Sequence, residues 1–303
     1  MNQAMKDYVA SILPAEDIKI REPLDRYTSF RTGGEADCML LVNDAEQLGK
    51  LLKYMSITGN DYFLLGNGTN LLVSDRGYDG TVIKFGPGMS RIHVDGERVY
   101  VQAGALLSQT AKRAMEEGLS GLEFASGIPG SIGGGLVMNA GAYGGEMSQI
   151  VESVTVMNES GEIMELDCDT MEFGYRTSVI KNRAFVVLEA ALHLQRGDKA
   201  DIQAKMEEFA ARRKEKQPLE YPSAGSIFKR PEGYFAGKLI MDSGMRGYRV
   251  GGAQVSEKHC GFIINTGNAT SEDIAELMAE VQDRVKERFR VSLEPEIVRL
   301  GKF

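Results

Sequence analysis

Two glycine-rich stretches of this 303-residue chain hold the residues best suited, by type and spacing, to capturing an anion through main-chain amides. The first, Leu64-Leu65-Gly66-Asn67-Gly68-Thr69-Asn70-Leu71, follows an apolar run and reads as a strand entering a tight turn. Glycines at such a turn let backbone N–H groups converge on negative charge. A dinucleotide-binding fingerprint would require a third glycine or alanine near Leu71 and then a helix, whereas Leu71-Leu72-Val73-Ser74 reads as another strand. An ordinary hairpin turn competes with the anion-binding reading here. The second stretch, Gly127-Ile128-Pro129-Gly130-Ser131-Ile132-Gly133-Gly134-Gly135, continues to Asn139-Ala140-Gly141-Ala142-Tyr143-Gly144-Gly145. Ordering so many glycines costs roughly 0.5–1 kcal/mol each relative to alanine in regular structure, so something must require them. Close approach of the main chain to a pyrophosphate would do so. A mobile surface loop is the alternative, but Ile128, Ile132, Leu136, Val137 and Met138 argue for burial.

Other chemistries find less support in the residues. Gly233-Tyr234-Phe235-Ala236-Gly237-Lys238 is one residue short of a phosphate-loop motif, and Leu239 stands where that motif needs Ser or Thr. His93, His193 and His259 are isolated from one another and from Cys38, Cys168 and Cys260, so no metal site is expected. The odd, scattered cysteines fit neither a disulfide framework nor a zinc ribbon and suggest a cytosolic chain. Met1–Asp17 shows no secretory signal pattern.

Charge narrows the ligand class. Lys plus Arg number 35 against 43 Asp plus Glu, a net −8 that repels polyanions and argues against nucleic acid as a partner. Between Arg212 and Lys258, however, ten basic residues face five acidic ones. A local basic region in an acidic protein suits a small anionic ligand, although a solvated basic face would look the same on charge alone. Phe124–Gly145 carries no charged side chain over a length able to cross a bilayer, but its eight glycines, Pro129 and Asn139 would leave backbone groups unsatisfied in lipid. A buried loop system is expected there, and no membrane association.

These loops must be held by secondary structure. Asn43 and Glu46 resemble a capping pair, and Leu48, Leu51, Leu52 and Met55 recur at helical spacing, which predicts a helix over about 44–57. Further helices are expected near 105–117, 201–215 and 271–288. Apolar runs at 36–42, 61–65, 81–84, 98–102, 151–156 and 185–194 read as strands, the last two buried on both faces. The order lacks the regular alternation of one doubly wound sheet, and the length suggests two to three domains.

Read together, Tyr27-Thr-Ser-Phe30-Arg-Thr-Gly-Gly34, Gly66-Asn-Gly-Thr-Asn-Leu-Leu-Val73, Gly127-Ile-Pro-Gly-Ser-Ile-Gly-Gly134, Asn139-Ala-Gly-Ala-Tyr-Gly144, Tyr175-Arg-Thr-Ser178, Ser223-Ala-Gly-Ser-Ile-Phe-Lys229, Gly251-Gly-Ala-Gln-Val-Ser256 and Leu293-Glu-Pro-Glu296 resemble one family. It is UDP-N-acetylenolpyruvoylglucosamine reductase, also called UDP-N-acetylmuramate dehydrogenase, a flavin enzyme of peptidoglycan synthesis. The short length resembles the form lacking an additional tyrosine-bearing loop.

The resemblance implies an α+β chain, with a two-subdomain FAD-binding fold of the PCMH/VAO type and a C-terminal α+β substrate-binding domain. These parts are expected at 1–83, with the tail 297–303 returning to it, at 84–200 and at 201–296. It implies FAD as cofactor, with no histidine in either loop for covalent attachment, and NADPH as hydride donor. The implied substrate is UDP-N-acetylglucosamine enolpyruvate, and no obligate protein partner is evident. By the same resemblance Ser226 is the proton donor, and Arg176 and Glu296 stabilise the enolate-like intermediate. Arg31, Thr32, Gly66, Asn67, Gly68, Thr69, Asn70, Leu71, Gly127, Ile128, Pro129, Gly130, Ser131, Gly133, Gly134 and Asn139 are expected at the cofactor. Tyr175, Lys216 and Lys229 are expected at the substrate. A flavin oxidase of another small substrate and a non-catalytic nucleotide-sugar-binding protein are the rival readings.

Overall fold

A computed structural model describes residues 3–303, so Met1 and Asn2 of the first expected subdomain lie outside the described residues. The chain divides into two compact units. The first comprises the N-terminal segment up to Ile20 together with Cys38–Asn67 and Gly80–Arg212, and the second comprises Arg21–Asp37, Gly68–Asp79 and Arg213–Phe303.

The first unit holds two apolar cores. In one, helix Ala45–Thr58 buries Leu48, Leu51, Leu52 and Met55 against Cys38, Leu40, Val42 and Ile83. Full burial of such a side chain contributes about 1.5–3 kcal/mol, so this stripe fixes the helix face. The helix starts one residue later than the sequence suggests. Asp44, not Asn43, is the N-cap, and its carboxylate accepts from Gln47 N at 2.8 Å. The Asn43 carboxamide is engaged instead with Asp17 (3.0 Å) and with Gly88 N (3.1 Å). Strand Tyr62–Leu65 pairs in parallel with Tyr78–Phe85 and delivers the chain to Gly66.

The other core lies on a five-stranded antiparallel sheet in the order Ile163–Asp167, Val151–Met157, Val186–His193, Arg98–Gln102, Ile92–Asp95. Val186–His193 is central and exposes His193 at its end, and Val151–Met157 exposes Glu152. Both strands are mostly covered, and each departs from the expectation of burial on both faces at that one exposed residue. Helix Leu107–Glu116 turns Leu107, Ala111 and Ala114 into this core. The uncharged stretch Phe124–Gly145 folds as the short helix Ile132–Val137 and a hairpin of Gly141–Ala142 with Gly145–Glu146, and Phe124, Ile132 and Leu136 are buried. Among the described residues no helix is long and apolar enough to cross a membrane.

In the second unit, helix Ser271–Phe289 buries Ile274, Leu277, Met278, Val281 and Val285 at successive helical turns. They join a core shared with the antiparallel sheet Arg249–Val250, Ala253–Val255, Ile263–Asn265. A reciprocal Thr270–Asp273 capping box starts this helix, and Asp75 also accepts from Ser271 N at 2.8 Å. Strand Leu71–Val73 pairs in parallel with Val298–Leu300 near the C-terminus.

Candidate active site

The first glycine stretch is not a hairpin turn. The strand before it pairs with Tyr78–Phe85 and the strand after it pairs with Val298–Leu300. In the first unit, Gly66 and Asn67 meet the second glycine stretch directly. Asn67 Nδ2 donates to Pro129 O at 2.6 Å, and a Cβ on Gly66 would stand 2.7 Å from Ser131 Oγ. The Lys84 ammonium donates to Gly66 O at 2.7 Å, and burial pushes its pKa down. Sequence reasoning missed Lys84 because it ends an apolar strand and belongs to no motif.

The amide cradle is narrower than the sequence suggests. Ile132 N and Gly133 N donate to Ala105 O (2.8 Å) and Ala103 O (2.9 Å), while Gly134 N reaches Ser131 Oγ (3.3 Å) and Gly135 N reaches Ser131 O (2.8 Å). These four donors close the helix start, so a cradle can draw on main chain only before Ile132. Nor does a ligand alone require the glycines. A Cβ on Gly133 would meet Ala103 Cβ at 3.1 Å, and one on Gly145 would meet the Phe124 ring at 2.6 Å.

The same motif continues into the second unit, where Gly68 has φ +62° and a Cβ there would lie 1.7 Å from Tyr27 O. Only glycine fits. Ser29 N donates to Gly68 O at 3.0 Å and Thr28 Oγ1 to Thr32 O at 2.9 Å, so Tyr27–Thr32 is folded against the turn. Arg31 is exposed with φ +56°. Thr32 is only 4% exposed, and its Oγ1 is the one buried side-chain polar atom without a hydrogen-bond partner among the described residues. An orphaned buried hydroxyl costs about 1–3 kcal/mol, so a bound group that pairs with it fits this position.

Arg176 occupies a two-residue turn with Tyr175 in the first unit. Gly174 N donates to Thr177 O (3.1 Å) and Thr177 N to Gly174 O (3.3 Å), with Arg176 at φ +57°. The guanidinium carbon lies 5.2 Å from the centre of the Tyr175 ring, which is 56% exposed.

Ser226 and Glu296 are held together in the second unit by main chain. The segment around Ser226 runs extended, with Ile227 N donating to Gly261 O (3.0 Å) on one side and Glu296 N donating to Ile227 O (2.8 Å) on the other. Ser226 is exposed and follows Gly225, whose φ is +83°. Asn70 Nδ2 donates to Glu296 O at 3.0 Å.

Three cations of the basic stretch meet acids. Lys229 pairs with Glu294, Lys238 with Asp242 (2.7 Å) and Lys258 with Glu220 (3.7 Å). Arg230 stacks over Phe235 at 4.0 Å, and Arg246 Nε donates to Glu257 O at 2.7 Å. Lys216 is exposed at the end of helix Lys199–Lys216. Sequence does not show which of these cations meet acids.

Residues 36–167 match the sequence profile of the FAD binding domain, which defines a flavin-binding protein. Residues 217–300 match the C-terminal domain of UDP-N-acetylenolpyruvoylglucosamine reductase. The chain is 48% identical to UDP-N-acetylenolpyruvoylglucosamine reductase of Caldanaerobacter subterraneus over 99% of both chains. It is 47% identical to that of Clostridium perfringens over 100% of both. The crystal structure of the enzyme from Thermus caldophilus superposes with a TM-score of 0.80 at 36% identity, covering 94% of this chain and 98% of that one. Phl p 4.0202, a glucose dehydrogenase, shares the fold alone, at 12% identity and a TM-score of 0.51 over 64% of this chain and 44% of its own.

The chain belongs to the UDP-N-acetylenolpyruvoylglucosamine reductase family. It is therefore an FAD-dependent oxidoreductase of peptidoglycan synthesis, and membership implies NADPH as its reductant.

Proposed function

We propose that the chain converts UDP-N-acetylglucosamine enolpyruvate to UDP-N-acetylmuramate with electrons from NADPH, in the cytoplasm and with non-covalent FAD. Bound FAD supplies the hydride carrier between NADPH and the enolpyruvyl double bond. The chain's own residues must then handle a carboxylate, a growing negative charge and one proton. Arg176 presents a guanidinium able to engage the carboxylate through two parallel N–H bonds while opposing that charge. Ser226 gives the proton to the carbon next to the carboxylate. A hydroxyl is a weak acid, so its alkoxide must be promptly stabilised or reprotonated by neighbours. Glu296, on the adjoining segment, joins Arg176 at the enolate-like intermediate, to which its carboxyl group donates a hydrogen bond when it keeps its proton. The observation that carries this reading is the backbone bond from Glu296 N to Ile227 O, which couples the position after Ser226 to the Glu296 main chain.

For the cofactor, Thr32 supplies an unpaired buried hydroxyl, and Gly66, Asn67 and Pro129–Ser131 supply converging main chain. Arg31, Gly68, Thr69, Leu71, Gly127 and Ile128 belong to the same loops, and Tyr175, Lys216 and Lys229 are assigned to the substrate. The division at 1–83, 84–200 and 201–296 is kept as part of the proposal. The first of the two cores draws mainly on residues before the first boundary, with Met89, Met157, Val186 and Leu188 joining it from beyond, and the Val298–Leu300 pairing with Leu71–Val73 supports the returning tail.

The test is a spectrum followed by a mixing experiment. Purified protein should be yellow and should bleach with NADPH. Anaerobic addition of UDP-N-acetylglucosamine enolpyruvate should then restore the oxidised spectrum within the turnover time. Bleaching without reoxidation by that compound would refute the assigned substrate.

A further inference from the structure

Seven described residues other than glycine have positive φ, and four of them fall in two stretches of the first unit. Asn139 (+41°) and Tyr143 (+55°) follow the short helix Ile132–Val137, and Glu172 (+48°) and Arg176 (+57°) lie in the segment that carries the Tyr175–Arg176 turn. Left-handed backbone is unfavourable for an L-residue and persists only where the surroundings over-determine it. The two stretches are tied to each other by side chains. Asn139 Nδ2 donates to Gly174 O at 3.3 Å, and Ser178 Oγ donates to Val137 O at 3.1 Å. Asn139 Oδ1 in turn accepts from Ser148 N at 2.9 Å. With a donor facing its oxygen and an acceptor facing its nitrogen, the orientation of this amide is fixed by its partners. Asn139 is 2% exposed, and both ends of its side chain bind main chain.

We propose that Asn139 is a positioning residue for Arg176, its Nδ2 holding the Gly174 carbonyl and thereby the turn that carries the guanidinium. This assignment replaces the flavin contact expected from sequence, and it rests on the reading of Arg176 given above. Gly174 is the first residue of the turn and both its main-chain groups are engaged, its N–H by Thr177 and its carbonyl by Thr177 and Asn139. Releasing the Asn139 bond frees one anchor of a strained turn, and the guanidinium shifts with it. Misplacing a reacting group by about 1 Å costs on the order of 10²-fold in rate.

Asn139→Asp keeps an oxygen for Ser148 N and removes the donor to Gly174 O. The variant should retain FAD at the unsubstituted stoichiometry and bleach with NADPH at the unsubstituted rate, while reoxidation by UDP-N-acetylglucosamine enolpyruvate slows on the order of 10²-fold. In an Arg176→Ala background the same change should add less than about 2-fold, because both substitutions act on one group. A merely structural asparagine would not show this coupling. Loss of FAD from Asn139→Asp with normal reoxidation per bound flavin would overturn the proposal and restore the cofactor contact. If Asn139→Asp does not fold, Ser178→Ala releases the same segment from Val137 O. Slowed reoxidation with normal bleaching then supports the proposal, and equal loss in both steps overturns it. If Arg176→Ala alone leaves reoxidation unchanged, the functional reading fails first. If Arg176→Ala slows it and Asn139→Asp does not, only the positioning role fails.

Discussion

The Arg176 turn and the Ser226 segment each hold still a side chain to which the proposed function gives a role, and they do so by opposite means. Ser226 sits on an extended stretch paired through main chain on both sides, an arrangement indifferent to which side chain it carries. Arg176 sits at φ +57° in a turn fastened to its surroundings by the buried side chains Asn139 and Ser178. Substitution at Ser226 should therefore remove chemistry and leave geometry, whereas substitution around Arg176 should alter geometry and stability together.

Ser226→Ala is the largest expected effect. Loss of proton transfer should slow substrate reduction by about 10²–10⁴-fold, with bleaching by NADPH nearly intact. Thermal stability should move by less than about 0.5 kcal/mol, as for an exposed side chain outside any network. Equal damage to both half-reactions would show that Ser226 serves the scaffold or the flavin instead. Arg176→Gly sharpens the contrast. Relief of a left-handed residue is worth up to about 1–2 kcal/mol, and glycine's greater unfolded-state freedom takes back roughly 0.5–1 kcal/mol. The variant should thus melt at an equal or slightly higher temperature while losing substrate reduction. A lower melting temperature would mean that guanidinium contacts, rather than Asn139 and Ser178, hold the turn.

How much of this was legible in the sequence depends on whether the cause was local. Helices Ala45–Thr58 and Ser271–Phe289 followed from apolar spacing, because their buried faces repeat with the helical period. The start of the first was misplaced because Asn43–Glu46 and Asp44–Gln47 fit the same capping spacing, and only tertiary partners for Asn43 decide between them. Helix Ile132–Val137 was invisible, since three of its six residues are glycine and its support is the Ser131 cap and burial of Ile132 and Leu136. The motifs singled out Ser226, Arg176 and Glu296 as the residues of the proposed reaction. What they did not give were the side chains that hold the neighbouring main chain: Asn70 on the Glu296 carbonyl, Asn139 on that of Gly174, and Lys84 on that of Gly66. Such partners are set by long-range contact, and no periodicity encodes them.

The smallest expected effect separates the two regions by pH. His259 precedes the Gly261–Phe262 strand that pairs with Ser226–Ile227, and its Nδ1 accepts from Gly261 N at 3.1 Å. Phe262 packs edge-on against the ring at 5.0 Å, and burial lowers the imidazole pKa below its usual 6.5. Protonating Nδ1 would replace an acceptor with a donor facing another N–H. Below about pH 6.5 the unfolded chain binds more protons than the folded one, so stability falls with acid and is level above that value. Asn139 and Ser178, whose side chains fasten the segment of the Arg176 turn, are neutral throughout this range. Hydrogen exchange at Ile227 and Glu296 should therefore accelerate between pH 7.5 and about 5, relative to Thr177 and Val179, after correction for intrinsic rates. His259→Asn offers an acceptor that does not titrate and should flatten the difference. A pH dependence at Ile227 that persists in His259→Asn would assign the acid sensitivity to another group and remove this distinction between the two scaffolds.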